Sequence, residues 1–238
     1  MNKYNSIVII LSFLAFASCD DGRIYEKDTS FKEGKIVKTT GTITGLDNWQ
    51  TGYNIAIAGF DDEDPYAIIS RVITPTDAEK PLKIVLAGID DNVTHMELCV
   101  LNRLRQRVVT LQEFPLEETR DTIRFDIGNV NASMYGVIQS QLFNISCTAC
   151  HGGNGFAAAG LNLTEGNSYA AMLNQPSKKV EGLSIVTPGD KENSVLHLLL
   201  NTDLSSSWHQ NHADMLNKER SANLLKLIDD WIDGGADE

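Results

Sequence analysis

Residues 35–128 consist of short apolar runs separated by turn-forming residues. Within residues 93–101 the alternation places Met96 and Leu98 on one face of a strand and His95 and Cys99 on the other. The predicted strands are Lys35–Ile43, Tyr53–Gly59, Tyr66–Ile73, Leu82–Ala87, Val93–Leu101, Arg105–Gln112 and Thr122–Ile127. This succession of short strands predicts an antiparallel β-sandwich domain over residues 35–130.

The period of the pattern changes after the small, polar stretch Gly128–Ser133. From there on the spacing is helical, first in Val137, Ile138, Gln141, Leu142 and Ile145, and last in Leu224, Leu225, Ile228, Trp231 and Ile232. Asn217 is the expected N-cap of the last helix, and Gly234 and Gly235 should end it. Ser168–Asn174 and Glu192–Asn201 are predicted as shorter helices. The fold class expected is therefore a two-domain β + α protein whose second domain, residues 134–238, is all-α.

The first residues have the features of an export signal. Lys3 precedes an apolar run, Ile7–Ala17, that is too short to span a bilayer. The run ends in Phe16-Ala17-Ser18-Cys19, which resembles a bacterial lipoprotein processing site. On that resemblance, residues 1–18 are a lipoprotein signal peptide, Cys19 carries the lipid and residues 19–34 are a tether. The alternative is a plain secretory signal in which Cys19 is incidental. We expect a location in the cell envelope, lipid-anchored on the periplasmic side or at the cell surface.

The charge of the chain limits its partners. The 20 Lys and Arg residues face 32 Asp and Glu residues, and the net charge is −12. Nucleic-acid binding needs clustered basic residues to neutralise phosphates, so no nucleic-acid partner is expected. The negative surface serves solubility or the docking of another protein.

One short motif carries specific chemistry, Cys147-Thr148-Ala149-Cys150-His151. In a Cys-x-x-Cys-His motif the two thiols add across the vinyl groups of a haem, and the histidine becomes an axial ligand of the iron. This attachment takes place outside the cytoplasm, in agreement with the export signal. The remaining Cys99 lies in an apolar strand and is interpreted as a small buried hydrophobe.

Two other chemistries use the same residue types. A dithiol redox pair needs a βαβ context, which residues 147–150 lack. A zinc site needs four ligands, and His209 and His212 are the residues that could complete a Cys₂His₂ set. A metal site at His95 and Cys99 would have only two ligands.

Residues from about 136 to 235 resemble a class I c-type cytochrome domain of the planctomycete type. The matching segments are Cys147–Gly152, Gly160–Leu163, Tyr169–Leu173, Pro176-Ser177, Thr187–Asp190, Asn193–Leu196 and Trp231–Ala236. The resemblance implies an all-α cytochrome c domain with one covalent haem c. It also implies that a backbone carbonyl within Gly160–Leu163 supports the His151 ring, and that Gly152 and Gly153 let the chain approach the porphyrin.

The sixth ligand of the iron is expected to be Met215, because the family uses a methionine in the later part of the domain. Leu216 stands where the family commonly has proline, so His212 or His209 is the alternative ligand. Met172 and His197 are interpreted as structural residues.

The predicted function is that of a monohaem c-type cytochrome lipoprotein that transfers electrons to or from a redox partner protein in the bacterial cell envelope. It is not expected to be an enzyme, which would need an open iron with acid–base residues beside it. The alternative function is a haem-based sensor, or a surface lipoprotein that binds a partner or glycan and whose haem is not an electron relay.

Overall fold

The computed structural model describes residues 34–238 except 79, 117–120, 153–154, 205–209, 215 and 217. The predicted signal peptide, Cys19 and nearly all of the tether lie outside the described residues, as do Gly153, His209, Met215 and Asn217. Residues Glu33–Glu238 cluster into one compact unit.

Each of the seven predicted strands has a counterpart in the structure. The strands are β1 (Lys35–Thr44), β2 (Tyr53–Phe60), β3 (Ile69–Val72), β4 (Leu82–Ile89), β5 (His95–Asn102), β6 (Arg107–Pro115) and β7 (Thr122–Asn131). Their ends differ from the predicted ones by a few residues, because turn residues mark a strand end less sharply than alternation marks its middle.

The strands form a three-stranded sheet in the order β4-β1-β7 and a four-stranded sheet in the order β3-β2-β5-β6. All pairings between these seven strands are antiparallel except that of β1 with β7, which is parallel, with Val37 opposite Ile123. The prediction of a purely antiparallel sandwich is therefore wrong. Alternation predicts which face of a strand is buried and carries no information on the direction of a partner so distant in sequence.

The main core lies between the two sheets. Alternate residues of β4 point into it, including Leu82, Ile84 and Leu86. The middle strand β5 is buried on both faces, because a second apolar cluster covers the other side of the four-stranded sheet. That second cluster comprises Ala56, Ala58, Phe60, Ala67, Cys99 and Leu101. Cys99 is a buried hydrophobe, as its place in an apolar strand predicts.

The helices are short, apart from the last. They are α1 (Pro75–Ala78), α2 (Met134–Ile138), a π-helix (Gln139–Cys147), α3 (Thr148–His151), a 3₁₀ turn (Ala158–Gly160), α4 (Ser168–Met172), α5 (Val195–Asn201) and α6 (Lys218–Asp233). Helix α6 ends directly before Gly234 and Gly235, as predicted. Among the described residues, no helix is long and apolar enough to cross a lipid bilayer.

The predicted fold class, a β-sandwich followed by a separate all-α cytochrome c domain, is wrong. The described chain is mainly β, and 26% of it is helical. One continuous core contains strand residues such as Ile84 and Phe125 together with helix residues such as Phe143 and Trp231. Between α4 and α5 the chain forms isolated β-bridges, among them Leu173 with Val186.

Polar contacts across the predicted domain boundary explain this single unit. The Tyr53 hydroxyl donates to Asp230 Oδ2 over 2.6 Å, and Asn223 Nδ2 donates to the Arg107 carbonyl over 3.0 Å. Helix α6 is thus held against β2 and β6. Apolar periodicity reports that a helix has a buried face and does not report whether a sheet or another helix covers it.

Candidate functional site

The Cys-x-x-Cys-His motif closes a helical stretch that is anchored in the main core. We call α2, the π-helix and α3 together the motif helix. Ser133 caps its start by accepting a hydrogen bond from the Gly136 N–H over 3.0 Å. The side chains of Val137, Ile138 and Leu142 are almost fully buried. The start of the helix is therefore fixed by packing, and the motif emerges at its far end.

The π-helical turns change which side chains face the core. The helical stripe predicted from sequence includes Ile145, yet this side chain is 69% exposed, while Phe143 is fully buried. In a π-helix each hydrogen bond spans five residues instead of the four of an α-helix, so a turn contains more than the 3.6 residues assumed in the prediction. Ile145 is consequently turned to the surface, two positions before Cys147.

The two motif cysteines are free thiols that differ in exposure. Cys147 is half-buried and Cys150 is exposed. Burial, followed by the neighbouring Cys150, raises the pKa of the Cys147 thiol to about 11. A dithiol redox centre depends on a lowered thiol pKa, so these surroundings do not suit that chemistry.

The imidazole of His151 has an unsatisfied nitrogen. Its Nδ1 atom is buried and has no hydrogen-bond partner among the described residues. The segment expected to support this ring, Gly160–Leu163, instead contacts the backbone of His151, since the Leu163 N–H donates to the His151 carbonyl over 2.6 Å. The Leu163 carbonyl in turn accepts from Gln139 Nε2 over 3.0 Å. The predicted carbonyl support of the ring is therefore absent from this part of the chain.

Gly152 follows the motif in an extended conformation. A Cβ atom at this position would lie 2.5 Å from Thr164 Cγ2. The glycine thus allows the end of the motif helix to pack against the segment that contains Thr164. The close approach to a porphyrin that the resemblance implies stays a prediction.

A buried polar network holds the motif helix to this neighbouring segment. Gln139 donates to the carbonyl of Leu163 and, over 2.7 Å, to Asn144 Oδ1. Its Oε1 accepts from the Ser168 hydroxyl, which also contacts the Tyr135 hydroxyl. Burial raises the pKa of Tyr135 to about 12, so its hydroxyl stays protonated. Because the network uses every polar atom of the Gln139 side chain, it positions the helix without offering a binding site.

A second histidine lies beside His151. The ring centroids of His151 and His212 are 6.3 Å apart, and the ring planes are inclined by 39°. Burial lowers the pKa of His212, a backbone hydrogen bond at Gln210 opposes this, and the nearby His151 lowers it further. The structure thus brings together two of the residues considered as ligands, whereas Met215 and His209 lie outside the described residues.

The structure does not support the zinc site considered for the motif. Within the part of the chain that is described, the ligand atoms of three or more His, Cys, Asp or Glu residues come within 4.8 Å of one another only at His95, Glu97 and Glu113. The described members of the set considered for zinc, Cys147, Cys150 and His212, do not converge in this way. A tetrahedral zinc ion would require them to do so.

The group at His95 is a closed ion network. Glu97 is fully buried on β5, and its Oε1 receives Arg107 Nη1 and lies 3.0 Å from His95 Nε2. Its Oε2 accepts from the Thr110 hydroxyl over 2.7 Å. Every oxygen of the carboxylate is satisfied, so the network is structural. The sequence signal that could have revealed it is a glutamate in the centre of an otherwise apolar strand.

The residues at the motif fit a covalently attached haem. Two free thiols and a partly buried imidazole with an unsatisfied nitrogen lie in the last turns of one helix. Large apolar side chains on either side of the motif, Ile145 and Phe156, are 69% and 66% exposed. Thiols, imidazole and apolar surface are the groups that a haem c requires.

The two residues interpreted as structural have structural surroundings. Met172 is almost completely buried in the main core. His197 Nδ1 lies 2.6 Å from Asp229 Oδ1, a contact that joins α5 to α6. Neither residue is directed to the motif by these contacts.

Comparisons of the chain with family models, with curated proteins and with solved structures return no match. The resemblance to a planctomycete-type cytochrome therefore rests on the sequence motifs alone.

Proposed function

We propose that this protein is a monohaem c-type electron-transfer lipoprotein of the bacterial cell envelope. In this proposal Cys147 and Cys150 attach the haem, His151 is an axial ligand, and Cys19 carries the lipid anchor. The observation that supports it most is the position of two free thiols and a buried, unsatisfied imidazole nitrogen at the end of a core-anchored helix.

The residues around the motif fix the position of the His151 backbone. The Leu163 N–H holds the His151 backbone, and Gln139 fixes Leu163 from the other side. A bound haem c supplies a one-electron couple at its iron, while the protein supplies ligation, burial and orientation.

The haem therefore belongs to a mixed sandwich with an added helical segment and does not need a cytochrome c domain of its own. Since α6 contacts both β2 and β6, the sandwich fixes the position of this helix. The sheets are then the scaffold of the redox centre as well as the surface for a redox partner.

The first experiment tests covalent attachment. We would express the full chain with c-type maturation factors, extract it with acid–acetone and record a pyridine haemochrome spectrum. Haem that stays on the polypeptide, and is lost in Cys147→Ala/Cys150→Ala but kept in Cys99→Ala, supports the proposal. Absence of haem from the unmodified chain, while a control cytochrome matures in the same cells, would overturn it.

The second experiment separates an electron relay from a haem-based sensor. A relay keeps both axial positions of the iron filled, so the reduced protein should bind carbon monoxide slowly or not at all. Rapid and complete binding would favour the sensor. Rapid reoxidation by a small outer-sphere oxidant is the matching positive result for a relay.

A further inference from the structure

We propose that His212 is the second axial ligand, so that the iron is held between two imidazoles. The inference rests on the proposed function, and it replaces the methionine expected from the family resemblance with a residue that the structure brings to the site.

The first argument is the separation of the two rings. A metal–imidazole bond of about 2.0–2.1 Å, with the ring centroid about 1 Å behind the nitrogen, places two imidazole centroids about 6 Å apart across one ion. The His151 and His212 centroids are 6.3 Å apart. The separation of the histidines therefore matches ligation of one ion.

The second argument is how the chain holds His212. Asn211 Nδ2 donates to Asp214 Oδ2 over 2.7 Å, and the Ala213 N–H donates to Asn211 Oδ1 over 3.0 Å. These contacts form a compact turn around His212. Leu216 lies in the main core and anchors this end of the turn. His212 is consequently positioned by backbone and core contacts of its own.

The third argument is that the contacts of the described histidines other than His151 and His212 lie away from the motif. His197 contacts Asp229 and His95 contacts Glu97. His151 and His212 would thus supply two nitrogen ligands from two separate segments of the chain. Bis-imidazole ligation predicts a lower reduction potential than ligation by histidine and methionine.

The experiment reads ligation from spectra of the haem-loaded full chain. The ferric protein should give the electron paramagnetic resonance and near-infrared signals of a low-spin bis-imidazole haem, without the absorption band that marks sulfur-to-iron ligation. In His212→Ala the low-spin signal should be lost and carbon monoxide should bind rapidly to the reduced protein. Added imidazole should restore the low-spin signal, which a general loss of structure would not allow.

His209→Ala and Met215→Ala are the matched controls, and both should keep the spectrum of the unmodified protein. A sulfur ligation band that disappears in Met215→Ala would overturn the inference, as would a bis-imidazole signal that depends on His209. Should His212→Ala fail to mature, the unmodified spectrum and these two variants still decide among the three residues. The haemochrome assay is read first, so a chain without covalent haem overturns the proposed function by a separate result.

Discussion

Two of the described histidine sites, the one at Glu97 and the one at His151, differ in how completely their polar atoms are used. At Glu97 each carboxylate oxygen has a partner on the same sheet. At His151 a buried ring nitrogen has none among the described residues, and a second imidazole stands 6.3 Å away. A buried polar group without a partner costs free energy that a bound ligand would recover, whereas a complete network indicates a structural role.

The largest expected effect is on stability at the Glu97 network. Glu97→Ala leaves Arg107 and His95 without their shared carboxylate, and we expect the free energy of unfolding to fall by about 3 kcal/mol. Urea denaturation followed by circular dichroism measures it. The control Glu113→Ala changes an exposed residue and should stay within about 0.5 kcal/mol. A changed haem spectrum in Glu97→Ala would contradict the separation of the two places.

The next effect concerns the network that positions the motif helix. Gln139→Leu leaves the Leu163 carbonyl and the Ser168 hydroxyl without their partner, at a cost of about 2 kcal/mol. The same denaturation experiment measures this cost. Gln141→Leu, on a partly exposed part of the same helix, is the control and should change stability by less than about 0.5 kcal/mol. Equal effects of the two variants would show that Gln139 has no special positioning role.

A smaller effect distinguishes the cysteines by their reactivity in the chain made without haem attachment. Because only the thiolate is alkylated, the raised pKa of Cys147 lowers the reactive fraction at pH 8 about a hundredfold relative to the urea-unfolded chain. The more basic thiolate is also the stronger nucleophile, which offsets about tenfold of this, so the reaction should slow by about tenfold. The rate should rise as the pH approaches 11. Cys99, whose pKa burial raises well above its ordinary value, should not react while the chain is folded.

Mass spectrometry of peptides after timed alkylation measures all these rates, and circular dichroism verifies that the haem-free chain is folded. The exposed Cys150 should react before Cys147. Reaction of Cys147 as fast as in the unfolded chain would contradict its half-buried position.

The smallest effect concerns the apolar surface beside the motif. Ile145→Ser removes an exposed side chain and should change the stability of the haem-free chain by less than about 0.5 kcal/mol. In the haem-loaded protein we expect a loss of about 1 kcal/mol, because the side chain then has an apolar partner. Leu104→Ser, at a residue that is 71% exposed and distant in sequence from the motif, should lack this dependence on haem.

The strands could be predicted from the sequence because the signal that defines them is local. Alternation around Met96 and Leu98 reports burial within a few residues, and the observed β5 follows it. Two other features depend on contacts between distant segments, namely the parallel pairing of β1 with β7 and the packing of α6 on the sheets. Local periodicity carries no information on such contacts. The separate helical domain was predicted for this reason and is wrong.

The same distinction applies to the site. Cys147, Cys150 and His151 lie within five consecutive positions, so the motif is evident from the sequence alone. The residue that lies beside His151 is not evident from the sequence. The family resemblance favours Met215 and leaves His212 as an alternative, and only the fold brings His212 beside the motif. The exposure of Ile145 was missed as well, because the prediction assumed α-helical turns where the chain forms a π-helix.

The position of β1 has a mechanical consequence. The described chain enters the fold at Gly34, and β1 is the central strand of its sheet, between antiparallel β4 and parallel β7. A pull on this end along the strand loads the hydrogen bonds to both neighbours together, because they run across the direction of the pull. An edge strand pulled at right angles would instead open one bond at a time. A force applied ahead of Gly34 is therefore resisted in shear, and β7, which leads directly into the motif helix, shares the load.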